Sequence, residues 1–395
     1  MNKKAALRVL FLTTFLDLMG FGLIIPILPT LASDLGATEA QVGLIAAIYA
    51  LMNFFFSPFW GALSDRHGRR PIILVSVLIT AVAYFVFAQS EVIWILILSR
   101  VFSGIGSANI GAAQAYIGDI TEAKDRAKTM GLIGAAFGLG FIFGPPIGGW
   151  LKSTYNLAVV GYVAGSLSLL NFLLAFFYLP ESIKKKNASA IRIKFFSSLI
   201  KNMRKPKISQ LFTINLIYIT AFAMMQVTAV LLWAQHSDLS ELQIGYVFMY
   251  IGLSSAIVQG TLVGPITKRF GERRMLVIGL VMMMIGLFAM PFFQSEYFFP
   301  YEFLALSLIA LANGFVSPAL LSLVTQVSEP HEVGAITGAN QSFGSIGRVI
   351  GPIVGGVLYQ INYFLPYVVG PIVLIIALWL AIRFKRKSLN LEEVL

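Results

Sequence analysis

Long apolar runs fix what this chain can become. They cover residues 7–32, 40–64, 71–89, 92–117, 126–150, 157–179, 208–234, 242–268, 275–293, 299–325, 332–358 and 365–384. Each is close to or above the ~20 residues that carry an α-helix across a bilayer. A backbone in hydrocarbon must satisfy its own polar groups, which leaves helices or closed barrels. Barrel strands are short and alternate in polarity, whereas these runs are continuous. The expectation is an all-α membrane protein with twelve transmembrane helices. Only 12% of the residues are charged, half of the roughly 25% usual in soluble chains. The first run is too long for a signal-peptide core and is read as a retained span.

The placement of charge orients the helices. Of the 29 Lys and Arg residues, 26 fall at the two termini and in alternate loops. The loops of the other side hold only Lys152, and Arg100 and Arg348 lie inside apolar runs. Such a bias puts both termini in the cytoplasm. The net charge of +11 is thereby assigned to topology and the lipid bilayer, with no nucleic-acid partner. Residues 181–207 form the longest polar stretch, with Lys184-Lys185-Lys186 and Arg204-Lys205-Pro206-Lys207. This stretch is either a lipid-binding linker or a solvated tether. It separates residues 1–180 from 208–395, expected to be two six-helix domains. The halves also repeat: Gly144-Pro145-Pro146-Ile147-Gly148-Gly149 returns as Gly351-Pro352-Ile353-Val354-Gly355-Gly356. Duplicated halves of this kind predict two pseudo-symmetric bundles around a central cavity.

Between the second and third runs lies Gly61-Ala62-Leu63-Ser64-Asp65-Arg66-His67-Gly68-Arg69-Arg70-Pro71, too charged to sit in hydrocarbon. It resembles the signature loop of the major facilitator superfamily, G-x-L-x-D-R-x-G-R-R, at all seven fixed positions. The resemblance implies the major facilitator fold and a cytoplasmic latch that holds the outward-facing state. Gly61, Asp65, Arg66, Gly68, Arg69 and Arg70 would build it. Asp119 is a further candidate, and Arg69, Arg126 or the N-terminus of a second-half helix starting near His331 is a partner for Asp65. The alternative is a solvated loop of little energetic weight.

Two charges in the first half carry chemistry. Asp17 lies about ten residues, or ~15 Å, into the first span, where a carboxylate is costly unless paired, protonated or wet. Arg100 enters the fourth span from the other side, at a depth compatible with an Asp17–Arg100 pair. The pair reads either as a protonation switch, with Arg100 tuning the proton affinity of Asp17, or as a static ion pair. In the second half Arg348 has no acid at its depth. It either binds an anionic substrate group or snorkels onto backbone carbonyls.

The fifth span is dense in glycine. Its Gly140, Gly144, Pro145, Gly148 and Gly149 resemble the antiporter motif of proton-coupled exporters. Together with the stretch around Asp17 and with Arg100, they identify the chain with the twelve-helix drug:proton antiporters, in particular the tetracycline-efflux-like group. That resemblance implies efflux of a small molecule, driven by the proton gradient without a cofactor, by a monomer in the bacterial inner membrane. Tetracycline exporters carry acids within the third and ninth spans, and this chain has none there. Alternatives are export of a metabolite or siderophore, or uncoupled facilitation. Tyr49, Asn53, Asn109, Gln114, Asn215, Gln226, Trp233, Asn313, Gln341 and Arg348 are candidate pocket residues, each also readable as an interhelical hydrogen bond. His67, His236 and His331 lack metal-ligand spacing, and no phosphate loop or nucleophile elbow supports an enzyme.

The absence of cysteine permits a direct check of topology. A single Ser153→Cys should react with an impermeant maleimide in intact cells, and a single Arg66→Cys only after permeabilisation. The reverse pattern would overturn the orientation.

Overall fold

The computed structural model describes residues 3–121, 123–182, 203, 205–293, 298–329 and 332–384. Among them, twelve helices are long and apolar enough to cross a membrane. Spans 1 to 6 are Ala6–Asp34, Glu39–His67, Arg69–Ala88, Ile93–Ile120, Ile133–Thr154 and Leu157–Tyr178. Spans 7 to 12 are Pro206–His236, Glu241–Thr261, Glu272–Phe292, Phe298–Gln326, Ile336–Ile361 and Leu365–Arg383. No strand occurs among the described residues. Most of the polar stretch 181–207, His331 and the Arg126 side chain lie outside them.

Spans 2 and 8 begin alike. Thr38 and Ser240 each cap a helix, with Gln41 and Gln243 completing a capping box. The segments Thr38-Glu39-Ala40-Gln41-Val42-Gly43 and Ser240-Glu241-Leu242-Gln243-Ile244-Gly245 are a further copy-pair of the internal repeat, beyond the Gly144 and Gly351 segments. Each packs against the G-P…G-G segment of the opposite half. A β-carbon at Gly43 would run into the Pro352 carbonyl oxygen, and one at Gly356 into that of Glu39. In the mirror contact, a β-carbon at Gly245 would stand 2.5 Å from the Pro145 carbonyl oxygen, and one at Gly149 would strike that of Glu241. Only glycine lets the backbones approach this closely.

Polar contacts join the halves at the same end. The Lys152 ammonium lies 2.5 Å from the Glu241 carboxylate and 3.9 Å from Asp34. Thr30 Oγ1 donates to Glu241 Oε1 over 3.4 Å. The Ala40 amide donates to Gln360 Oε1 over 3.3 Å.

Away from this closed end the halves separate. Along spans 5 and 8, a β-carbon at Gly252 would still stand 3.6 Å from Phe141, but none at Gly138, Gly134 or Gly260 would meet any described atom within 4 Å. Along spans 2 and 11 the same holds at Gly61 and Gly338. Among the described residues the bundle is therefore a wedge, shut at the end bearing Lys152 and open at the end bearing the Asp65–Arg70 loop.

A side chain at the joint should force it apart. Gly245→Val is expected to destabilise the observed state by about 1–3 kcal/mol. Spin labels at positions 40 and 360 should then report a longer closed-end distance; an unchanged distance would refute this account of the joint.

Candidate functional site

Asp17 sits on span 1 between buried Leu16 and Leu18 and is itself only 8% exposed. Its Oδ1 is fully enclosed without a hydrogen-bond partner. Span 4 tightens into a 3-10 turn at Ser107–Asn109, and the Asn109 side chain lies against the Asp17 carboxyl group. Asn109 Nδ2 also donates to Ser76 Oγ over 2.9 Å. One turn along span 1, Gly20 makes room for Tyr84, whose hydroxyl would stand 3.0 Å from a β-carbon there.

Arg100 is 2% exposed, with its guanidinium 5.2 Å from the Phe87 ring centre. Its Nε makes one long bond to Ser99 Oγ, 3.4 Å, and one terminal nitrogen has no partner. The expected Asp17–Arg100 ion pair is not formed in this structure. Tyr49 and Tyr84 are electrostatic neighbours of both charges instead. A guanidinium buried against aromatic faces gains cation–π energy without a carboxylate.

The glycine motif of span 5 lies along span 1 beside Asp17. A β-carbon at Gly140 would stand 2.9 Å from the Leu18 carbonyl carbon, and one at Gly144 would stand 2.7 Å from the Gly22 α-carbon. Farther along, Gly148 abuts Leu23 and Gly149 abuts Glu241 of the other half. One helix face thus touches both the Asp17 stretch and the closed-end joint.

At the open end, Arg69 gathers the loop. Its guanidinium lies 2.5 Å from Asp65, 3.2 Å from Asp119 and 2.6 Å from Ser64 Oγ. Gly68, at φ +111°, turns the chain so that the Arg69 amide donates to Glu181 Oε1 over 2.9 Å. The Arg70 amide shares that carboxylate, donating to Glu181 Oε2 over 3.3 Å, while its guanidinium donates to the Phe176 carbonyl oxygen over 2.5 Å and covers that ring. Arg66 is exposed. All these contacts stay within the first half.

The candidate pocket residues divide. Trp233 is fully buried and donates to Glu302 Oε1 over 2.8 Å, so it lines no cleft. Asn215 is buried and donates to the Asn340 carbonyl oxygen, and Asn109 belongs to the Asp17 cluster. Asn313 accepts from the Tyr218 hydroxyl over 3.0 Å. Tyr49, Asn53 and Gln226 are half-buried, while Gln114, Gln341 and Arg348 are exposed. A surface groove lined by Arg273, Arg274, Val277, Ile278 and Ile382 includes none of them. No group of three or more His, Asp or Glu side chains capable of holding a metal occurs among the described residues.

Sequence reasoning missed the Lys152–Glu241 contact, Tyr84, and the stack of Phe21 on Tyr49. The one available signal was Lys152 itself, the lone cation on its side of the charge count.

A family model described as Major Facilitator Superfamily matches residues 10–263 and 211–393. The chain belongs to that superfamily. It is 33% identical to the class C tetracycline resistance protein of Escherichia coli over 372 residues, 91% of each chain. Its identity to multidrug resistance protein 2 of Bacillus subtilis (strain 168) is 28%, over 98% of this chain and 97% of that one. The crystal structure of the human organic anion transporter MFSD10 has the same superfamily fold, with a TM-score of 0.73 at 24% identity, covering 96% of this chain and 100% of that one.

Arg69 serves three acceptors with one planar fork, which an ammonium cannot match. Asp65 and Asp119 are partly solvated, so the ion pairs themselves are screened. Arg69→Ala is expected to lower the melting temperature by a few degrees at about 1 kcal/mol, with Arg69→Lys recovering only part. Full recovery by lysine in a thermal melt would refute the fork.

Proposed function

We propose that this superfamily member is a proton-coupled antiporter that exports a small amphipathic compound by alternating access. The observation that carries the reading is the position of Asp17. It is a buried carboxyl group with an unpartnered oxygen, on the stretch of span 1 that Gly140 and Gly144 clasp. The same span 5 face reaches the second half through Gly149. A proton arriving at or leaving Asp17 therefore changes the charge beside a helix that bridges the two moving halves. An unpaired charge in this place is expensive in one state and tolerable where water reaches it. That difference is what a proton must supply to bias a two-state equilibrium.

The charge distribution supports a cytoplasmic open end, and in this reading the protein acts as a monomer in a bacterial inner membrane. The wedge is then the inward-facing state, ready to admit cargo from the cytoplasm. Its loop cluster is unlatched, with Asp65 and Arg69 satisfied inside their own half. Closure at this end would bring the loop to the second half while the joint at Gly43 and Gly245 opens. The tetracycline and multidrug resistance relatives support efflux as the direction. A metal-chelated cargo is not favoured, because spans 3 and 9 bring no acid to the cleft; Glu272, at the start of span 9, bonds Gln326 and Ser322.

In proteoliposomes, an imposed proton gradient should drive movement of an amphipathic dye, fluorescein or rhodamine 123, against its concentration. Asp17→Asn should reduce that movement to the level seen without a gradient while leaving downhill exchange intact. Accumulation unaffected by the substitution would sink the coupling role.

A further inference from the structure

Span 11 shows three distinct faces. Gly347 and Gly351 press on span 7: β-carbons there would stand 2.9 Å from the Leu216 carbonyl oxygen and 2.5 Å from that of Thr220. Ile350, Val354, Val357 and Ile361 are exposed and apolar, the pattern of a lipid-facing strip. Pro352 and Gly356 lie one and two turns beyond Arg348 on its own face, and they meet Gly43 and Glu39 of the first half. Arg348 is two residues, or about 200°, from Ile350 around the helix. It therefore points away from lipid and toward the first half, just where the wedge begins to open.

The Arg348 side chain is accessible although protein surrounds its position, so it is the cleft that exposes it. Among the described residues no ion pair, hydrogen bond or ring contact engages the guanidinium, and its charged or titratable neighbour is Tyr49. Tyr49 stacks on Phe21 with ring centres 4.7 Å apart, and Phe21 meets Phe141 edge-on at 6.1 Å. Rings from spans 1, 2 and 5 thus form an apolar wall beside a cation from span 11. Asp17 and Arg100 are neighbours of Tyr49 as well, but both are buried. The charge that the apex of the cleft offers to a ligand is therefore positive.

We infer that the cleft takes an amphipathic organic anion. Its carboxylate or sulfonate pairs with Arg348, and its ring or alkyl body lies on Phe21, Tyr49 and Phe141. This deepens the exporter reading and rests on it. A guanidinium fork matches a planar or tetrahedral oxyanion through paired hydrogen bonds, and a partly desolvated site strengthens the pairing.

Two xanthene dyes of like size and opposite charge separate the cases: fluorescein, an anion, and rhodamine 123, a cation. With the full-length protein in lipid nanodiscs, fluorescence anisotropy should show fluorescein binding that Arg348→Ala weakens by about tenfold or more. Arg348→Lys should retain an intermediate affinity, and rhodamine 123 binding should be unchanged or tighter in Arg348→Ala, which also reports that the variant is folded. Absence of fluorescein binding to the unaltered protein, or its loss to an equal degree for both dyes in Arg348→Ala, overturns the inference. Arg348-dependent fluorescein binding without gradient-driven flux would remove the exporter reading and leave the anion site standing. Gradient-driven rhodamine 123 flux without fluorescein binding would do the reverse.

Discussion

The structure depends on one contact made twice: a capped helix start from each half lying against a glycine–proline segment of the other. Bare backbone meets bare backbone at Gly43 with Pro352 and at Gly245 with Pro145. In a bilayer no hydrophobic effect drives helices together, so close van der Waals approach has to hold them. Glycine on one side and a fixed carbonyl on the other supply it. The two copies are not equal. Lys152 and Glu241 add an ion pair to one, whereas the other has Tyr359 as the electrostatic neighbour of Glu39. Tyr359 donates to Gln235 of its own half.

Asp17, Arg100 and Arg348 have three different settings within the membrane spans. Asp17 is buried with an unpartnered oxygen beside Asn109, Arg100 is buried against aromatic rings, and Arg348 is open to the cleft. None neutralises another. A buried ion pair would have locked spans 1 and 4 together at a cost that only the pair could offset. Separation by tyrosines leaves each charge able to answer to something mobile: a proton for Asp17 and, in our proposal, a ligand for Arg348.

Much of the fold was legible because its causes are local. Run length gave the twelve spans, and the Gly144 and Gly351 segments gave the repeat. The capping turns that complete the repeat share only Glu, Gln and Gly at alternate positions, with Thr38 exchanged for Ser240, too sparse a match to stand out before the caps were seen. The site was legible only in its parts list. Depth along a helix placed Asp17 and Arg100 at similar levels, but depth carries no azimuth, so their separation could not be read from the sequence. The same limit left Trp233 open between a pocket residue and an interhelical hydrogen bond, and its polar edge turns inward to Glu302. For Arg348 the decisive fact is which neighbours share its face, and that emerges only once Pro352 and Gly356 are seen against span 2.

Confining the contact between halves to one end gives the molecule leverage. Span 2 runs eighteen residues from Gly43 to Gly61, an arm of about 27 Å at 1.5 Å per residue. A tilt of about 10° at the fulcrum then swings the far tip by roughly 5 Å, one helical pitch. Rearrangements of a carbonyl's width near Pro145 and Pro352 are thereby magnified into an aperture change wide enough to admit or exclude a small molecule.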